Sequence, residues 1–459
     1  MIAIVGGGVS GLATAYELTR EGVPFVLFEA SGRLGGIVET VQRQGFVIEC
    51  GPDSWVTEKP EARQLAIELG LEDQLISSND RWRRTYVQQG RQLVPIPDGM
   101  RMMVPGKWGP LLDSPLFSWQ ARLAYLREPK RAQELKDSAP TQDESVADFV
   151  RRHFGQEVAG TLAAPLLSAV FGGDIAQLSV RAVMPAFVRM EAEEGSLVQA
   201  VQHRVRQSTQ AIFTSLAAGL ETMIDAIVRK LPAESIRLRE PVLGIEPDSG
   251  GWKLAVASGI SRFDAVVLAT PPHVTRTWLP ASMSNLLPQE ATSSVVVALA
   301  FASEQAARLR VPRGFGFVVP SGQGEEHPLL ACTFVDQKFP GRVPQGGVLL
   351  RSFFGGPSGE SLLGETDDAL IERARQQLGR VLGPLPHGVE TLVRRWAYSL
   401  PQYATGHLDR MQKLEVGRQA LPGLHLVGNA YYGVGLPDLI RQGRATGRAL
   451  AAQHFRVAI

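Results

Sequence analysis

Cysteine is scarce. The 459-residue chain has two, Cys50 and Cys332, too few for a disulfide framework or a cysteine-based zinc site, which fits a reducing compartment. An excess of one charge is also missing. Lys and Arg number 47 against 46 Asp and Glu, a net charge of +1, so nothing global favours nucleic acid, and an anionic substrate must be met by local cations. No apolar run reaches the ~18 residues a membrane-spanning helix needs. The best, Val295 to Phe301, is strand-sized. Met1 is followed by Ile-Ala-Ile-Val and glycines, with no basic stretch of a secretory signal, so a cytoplasmic location is expected. The eight histidines show no metal-ligand spacing, so no metal is expected. Ser-His-Asp clusters, internal repeats and low-complexity tracts are absent too. What is present is a globular composition, 44% hydrophobic and 20% charged, with length for about three structural units.

The first forty residues carry the strongest local signal. Ile2 to Val5 reads as a buried parallel strand. Gly6-Gly-Gly-Val-Ser-Gly11 follows, then a helical pattern from Leu12 to Glu21, then the strand Phe25-Val-Leu-Phe28 ending at Glu29. This is a G-x-G-x-x-G fingerprint inside a strand–helix–strand unit, with an acid after the second strand. Gly6 allows the tight turn. Gly8 lets a pyrophosphate approach the backbone at a helix N-terminus, and Gly11 lets helix and strand pack closely. Glu29 suits a ribose diol. NAD and FAD both remain open on these residues.

The next string narrows the choice. Ala30-Ser-Gly-Arg33-Leu-Gly35-Gly36-Ile-Val-Glu-Thr40 resembles the E-A-x-x-x-x-G-G-x-x-x-T signature of the flavin amine oxidase and phytoene desaturase superfamily. The resemblance implies a non-covalent FAD held in part by Arg33, Gly35 and Gly36. At the far end, Leu424-His-Leu-Val-Gly428-Asn-Ala-Tyr-Tyr-Gly433-Val434-Gly435-Leu-Pro-Asp438 reads as strand, glycine loop and helix, and resembles the superfamily's C-terminal flavin motif. A helix N-terminus there can face the electron-rich edge of the ring. By the same resemblance Val242 meets the adenine, the segment Gly51, Asp53, Ser54 passes beside the flavin, and Trp396 joins the cofactor-binding set.

Several strings resemble the porphyrinogen-oxidising branch of this superfamily. They are Ala164-Pro-Leu-Leu-Ser-Ala169-Val-Phe-Gly172-Gly173-Asp174 with Leu178-Ser179, then Glu191 with Gly195-Ser196, Gly314-Phe315-Gly316, and Arg395-Trp396 with Pro401-Gln402-Tyr403 and Gly406-His407. The branch often has glycine where this chain has Ala169, a position whose carbonyl is thought to face the substrate. The extra methyl narrows the pocket there. The resemblance implies a chain that oxidises a porphyrinogen, protoporphyrinogen IX or coproporphyrinogen III, in haem biosynthesis, with O2 as acceptor and hydrogen peroxide as product. The cofactor carries the chemistry, so no catalytic base is assigned. Arg84, in the cluster Arg81-Trp-Arg83-Arg84 before the turn at Gly90, is the candidate for a propionate, in a pair worth about 1.5–3 kcal/mol when shielded. Ala169 and Phe315 complete the candidate substrate set.

The expected fold is α/β, with a discontinuous Rossmann-like FAD-binding domain, a mixed-sheet substrate domain and a helical insertion. The expected boundaries are 1–60, 205–285 and 415–459 for the FAD domain, 61–99, 197–204 and 286–414 for the substrate domain, and 100–196 for the helices. Trp108, Leu111, Leu112, Leu116, Phe117 and Trp119 are candidates for contact with the inner face of the cell membrane, although a helical cap over the pocket is the favoured reading. Contact with a ferrochelatase is a candidate partnership, and monomer and homodimer stay open. No second dinucleotide fingerprint occurs; Gly322-Gln-Gly324 is read as a loop. Cys50 reads as a buried inert thiol. A flavin amine oxidase, with Tyr431 and Tyr432 as an aromatic pair, and a non-catalytic porphyrin-binding flavoprotein are the alternatives.

Overall fold

Ile2–Val5 is apolar and buried at every residue, which places it at the centre of a sheet rather than at an edge. In the computed structural model, which describes residues 1–204, 211–320, 329–356 and 359–457, it does so. Five parallel strands lie in the order Ile236–Leu238, Phe25–Glu29, Ile2–Val5, Ala265–Leu268, Leu424–Leu426. The sheet thus gathers strands from the beginning, middle and end of the chain. The helix Val9–Arg20 packs against one face, and the long helix Leu436–Val457 lies beside it. Small residues allow that contact. A Cβ on Gly443 would stand 2.4 Å from Ser10 O, and one on Gly447 would stand 2.7 Å from the Glu17 Cβ. A three-stranded antiparallel sheet, Val242–Asp248, Gly251–Val256 and Gly259–Phe263, sits next to the parallel one and buries Trp252, Leu254 and Phe263 against it.

A second, seven-stranded mixed sheet has the order Glu390–Pro401, Ala291–Phe301, Val348–Gly356, Leu329–Phe334, Gly316–Val318, Thr85–Gln89, Gln92–Pro95. The apolar run expected as a strand at Val295 to Phe301 is its core, extended to Ala291. One face carries the helix Asp367–Leu382, through Leu370, Ala374 and Leu378. The opposite face meets the first lobe at one end, where Ala298, Ala300 and Leu349 pack on Phe46, Ile48 and Cys50. At the other end Val318 and Ala331 pack on a set of short helices.

Those helices occupy the region from Trp108 to Arg204. The expected helix over Trp119 to Arg127 is present with Ser118 as its cap, and Val146–Phe154 begins after the cap Ser145. The pattern from Glu157 to Ser168 is instead broken into a π-turn at Ala159–Ala163 and a helix, Ala164–Phe171, that starts one residue before Pro165. Proline lacks the N–H an unbroken helix would need there. Leu111, Leu116 and Phe117 are buried in the core of these helices and Trp108 packs against it. Of the six residues considered for a membrane, only Leu112 and Trp119 are exposed. Among the described residues no helix is long and apolar enough to cross a membrane. The Gly322–Gly324 segment lies outside the described residues.

Candidate active site

The site opens where the parallel strands end. Gly6 has φ +107°, and a Cβ there would lie 2.7 Å from Ala269 O on the neighbouring strand. On Gly11 it would lie 2.0 Å from Gly6 O, so both positions exclude any side chain. Gly8 is different: nothing lies within 4 Å of where its Cβ would be, and it caps the helix Val9–Arg20 without a side chain. The first turn holds no acid. The helix therefore presents unpaired N–H groups and the positive end of its dipole to open space. The second glycine pair crosses this turn. Gly35 N–H donates to Gly7 O at 2.8 Å, and a Cβ on Gly36 would stand 3.2 Å from the Gly8 Cα.

Glu29 and Arg33 do local work as well. Glu29 accepts from the N–H groups of Gly7 and Ser31, both at 2.8 Å, so the acid at the end of the second strand also braces the glycine turn. Arg33 donates to Gly36 O at 2.5 Å and to Val38 O, and faces Glu221 at 3.8 Å. Val242 follows closely on Glu240, whose N–H donates to Glu29 O at 3.1 Å, so it lies at the same edge as the acid.

The segment Gly51 to Ser54 lies across the entrance to the second sheet. A Cβ on Gly51 would strike Ile37 O at 1.9 Å. Trp396 donates its indole N–H to Cys50 O at 2.7 Å. The carboxylate of Asp53 is enclosed by two cations: Lys338 Nζ at 2.9 and 3.0 Å, and Arg351 at 3.2 Å. Ser54 donates to it at 2.6 Å. Burial alone would raise the carboxyl; Lys338 and Arg351 outweigh that and hold it well below the usual carboxylate range. Lys338 and Arg351 were not foreseen. The one available signal was an arginine inside the otherwise apolar strand Val348–Gly356. Burial pushes the Cys50 thiol up to about 12, consistent with an inert thiol.

The C-terminal loop, 428–435, joins the last strand of the parallel sheet, Leu424–Leu426, to the helix Leu436–Val457. Gly428 and Gly433 have φ of +139° and +107°. Asp438, in the first turn of Leu436–Val457, is buried and receives Lys59 Nζ at 2.6 Å and Arg441 at 3.0 Å. A Cβ on Gly433 would lie 2.6 Å from the Asp438 carboxyl carbon, and on Gly435 3.4 Å from its Oδ2. Val434 lies between them, partly exposed. Tyr431 and Tyr432 do not pair. Tyr431 is in the core with Met283 and Leu287, while Tyr432 is exposed and reaches Met411 O at 3.3 Å. An amine cage needs two rings facing the same space.

On the substrate side, Ala169 is in the last turn of Ala164–Phe171, partly buried. Gly172 N–H takes Ser168 O and Gln402 takes Phe171 O, and among the described residues no partner is seen for the Ala169 and Val170 carbonyls of that turn. Val170 is 55% exposed. Phe315 is buried, and its N–H donates to Arg84 O at 2.7 Å, so these two candidates sit together. The Arg84 side chain is exposed, as are those of Arg81 and Arg83; none of the three has a carboxylate partner among the described residues. The Glu191 and Gly195-Ser196 step belongs elsewhere. Ser196 donates to Glu128 at 2.5 Å, and His153 lies between Glu128 at 2.9 Å and Glu191 at 3.0 Å, deep among the helices.

The donor set fits an extended dinucleotide: bare backbone at Gly8, a free helix N-terminus, an acid at the second strand's end and a second helix arriving from the far end of the chain. A turn crossed by a second glycine pair and closed by a distant loop defines the class, a flavin-binding oxidoreductase. Residues 9–451 match the model of the family described as flavin containing amine oxidoreductase, and the chain belongs to that family. It is 33% identical to the coproporphyrinogen III oxidase of Bacillus subtilis, over 97% of this chain and 96% of that one. It is 30% identical to the chloroplastic protoporphyrinogen oxidase of Oryza sativa, over 94% of this chain and 84% of that one. A crystal structure of an Exiguobacterium sp. 255-15 protein, provisionally named a protoporphyrinogen oxidase, superposes with a TM-score of 0.85 at 31% identity, covering 98% of each chain.

Proposed function

We propose that this chain is an FAD-dependent, oxygen-using porphyrinogen oxidase of haem biosynthesis. The observation that carries the reading is the end-to-end match to a coproporphyrinogen III oxidase, on a fold whose two N-terminal glycine turns meet at Gly8 and Gly35. When bound, FAD supplies acceptance of a hydride and return of two electrons to O2. A porphyrinogen gives up six electrons and six protons in three such rounds, and three O2 become three H2O2.

The chain's part is placement and exclusion of water. Gly6, Gly8, Gly11, Gly35 and Gly36 let backbone approach the cofactor, with Glu29 and Arg33 at its ribose and phosphates. Gly51 and Trp396 flank the ring, and the loop 428–435 with Asp438 closes over it. The last turn of Ala164–Phe171 offers free carbonyls to the pyrrole N–H groups and the exposed methyls of Val170 to the macrocycle. Arg84, with Arg81 and Arg83 beside it, takes a propionate. An excess of cations unmatched by carboxylates favours the substrate with four propionates, coproporphyrinogen III, over the one with two. The finer parts of the proposal are handover to a ferrochelatase, contact of Leu112 and Trp119 with a membrane surface, and the choice between monomer and homodimer.

Purified flavin-loaded protein, given each porphyrinogen in the dark under air, tests the reading. Porphyrin fluorescence above the spontaneous rate, with three peroxides per porphyrin, is the expected result. Bound flavin without porphyrin formation contradicts it. Loss of the four-propionate preference in Arg84→Ala checks the propionate assignment.

A further inference from the structure

The string Pro401 to His407 is not accounted for by the cofactor or the substrate, yet it touches both sides of the cleft. Tyr403 and His407 are buried and stacked, with ring centroids 3.9 Å apart and planes 11° from parallel. The Tyr403 hydroxyl and His407 Nε2 meet backbone of the C-terminal loop, while His407 Nδ1 is buried with no hydrogen-bond partner among the described residues. Tyr403 Oη donates to Asn429 O at 2.6 Å and accepts from Gly433 N–H at 3.1 Å. His407 Nε2 meets Tyr431 O at 2.7 Å, which makes that nitrogen the protonated one. Burial holds the imidazole neutral by pushing its pKa down to about 4. Asn429 is gripped from its other side, its Nδ2 donating to Ser399 O at 2.8 Å.

The same string binds the substrate wall. Gln402 Nε2 donates to Phe171 O at 2.9 Å, and a Cβ on Gly173 would stand 1.8 Å from the Gln402 Oε1. Ser179 N–H donates to Tyr403 O at 2.7 Å, Thr405 N–H to Gln177 O at 3.0 Å, and Leu178 bridges Ala404. One seven-residue stretch thus connects the end of helix Ala164–Phe171 to the loop 429–433.

We propose that the stacked Tyr403–His407 pair is a positioning device that fixes the C-terminal loop, through Asn429 O, Tyr431 O and Gly433 N–H, against the wall formed by Phe171 to Ser179. The proposal rests on reading 428–435 as the flavin loop. Neither ring touches substrate in this account. The pair acts by setting where the loop's backbone dipoles stand relative to the bound ring system, and so alters the relative affinity for oxidised and reduced flavin.

The test uses flavin-loaded Tyr403→Phe, which keeps the stacked ring and removes both hydroxyl bonds. His407→Gln keeps an N–H donor and His407→Leu has none. Three readouts apply to each: the flavin midpoint potential, its visible circular dichroism, and the anaerobic rate of reduction by porphyrinogen as a function of concentration. Tyr403→Phe and His407→Leu are expected to change the ratio of the two flavin affinities about tenfold, or about 30 mV for a two-electron couple. The limiting reduction rate should fall at least tenfold, with less than a twofold change in half-saturating substrate, and His407→Gln should recover most of it. Wild-type potential and dichroism in Tyr403→Phe, whatever its melting temperature, would overturn the proposal. So would a Tyr403→Phe protein that does not fold beside a His407→Leu protein with wild-type flavin properties. If no porphyrinogen reduces the wild-type protein, the functional reading fails, while the potential and dichroism still judge the pair.

Discussion

The two loops that close on the cleft are braced in opposite ways. The N-terminal glycine turn is held by its own neighbourhood: Gly35 N–H on Gly7 O, Gly7 N–H on the nearby Glu29 carboxylate, and Gly6 and Gly11 with no room for a methyl. The C-terminal loop is held by imported side chains, with Tyr403 and His407 reaching it from other elements and Lys59 reaching Asp438 in the helix that follows. A backbone brace is all or nothing, because a side chain cannot be fitted without moving a carbonyl. A side-chain brace can be weakened one hydrogen bond at a time. The first therefore suits the invariant task of admitting a pyrophosphate, and the second suits adjustment of the ring's surroundings.

The comparison can be broken most severely at the glycine turn. Gly11→Val would drive a branched side chain into Gly6 O, and no folded flavin-loaded protein is expected; absorbance near the flavin bands of the soluble fraction reads this directly. Next comes the charged brace around Asp53. Asp53→Ala leaves Lys338 and Arg351 buried without a counter-charge, at a cost of about 3–5 kcal/mol in urea unfolding. Asp53 also predicts acid sensitivity: its carboxyl is lowered in the folded state, so its stabilisation is full above the ordinary carboxylate pKa and is lost only in strong acid.

The neutral brace gives a milder dependence at a higher pH. His407 titrates near 6.5 when unfolded and at about 4 when folded, with Arg410 pushing in the same direction as burial and Asp143 opposing it. Between those values the unfolded chain binds more protons, so stability is complete above about pH 6.5 and declines as pH falls toward 4, by an amount on the order of 3 kcal/mol. His407→Gln should flatten that part of the pH–stability curve. The smallest effect is expected at the exposed end of the loop. Lys59 is half-exposed, so Lys59→Met should cost under about 1 kcal/mol in thermal melting despite the 2.6 Å contact with Asp438.

The same contrast explains what could be read in advance. The glycine turn, Glu29 and the second glycine pair lie within 36 residues, and their spacing alone encodes the strand–turn–helix that brings them together. The far loop was legible as strand, glycines and helix, but its braces were not. Nothing local to Tyr403 or His407 says that their polar atoms meet backbone about 25 residues on, since that depends on how the edge strand Glu390–Pro401 leaves its sheet. The spacing around Asp53 does not show that its carboxylate meets Lys338, 285 residues away, and Arg351. Burial of three of the six membrane candidates was hidden for a related reason. Leu111, Leu116 and Phe117 have the right composition for an interface, but helix packing, invisible in a short apolar string, buries them.

The most direct test of the whole account is an anaerobic titration. Flavin-loaded protein is mixed with coproporphyrinogen III, or with a primary amine, and the oxidised flavin band is followed. Bleaching by the porphyrinogen, with two electrons taken per flavin and no response to the amine, is the result predicted by a site in which Tyr431 and Tyr432 face different surroundings. Bleaching by the amine, with the porphyrinogen inert, would contradict it.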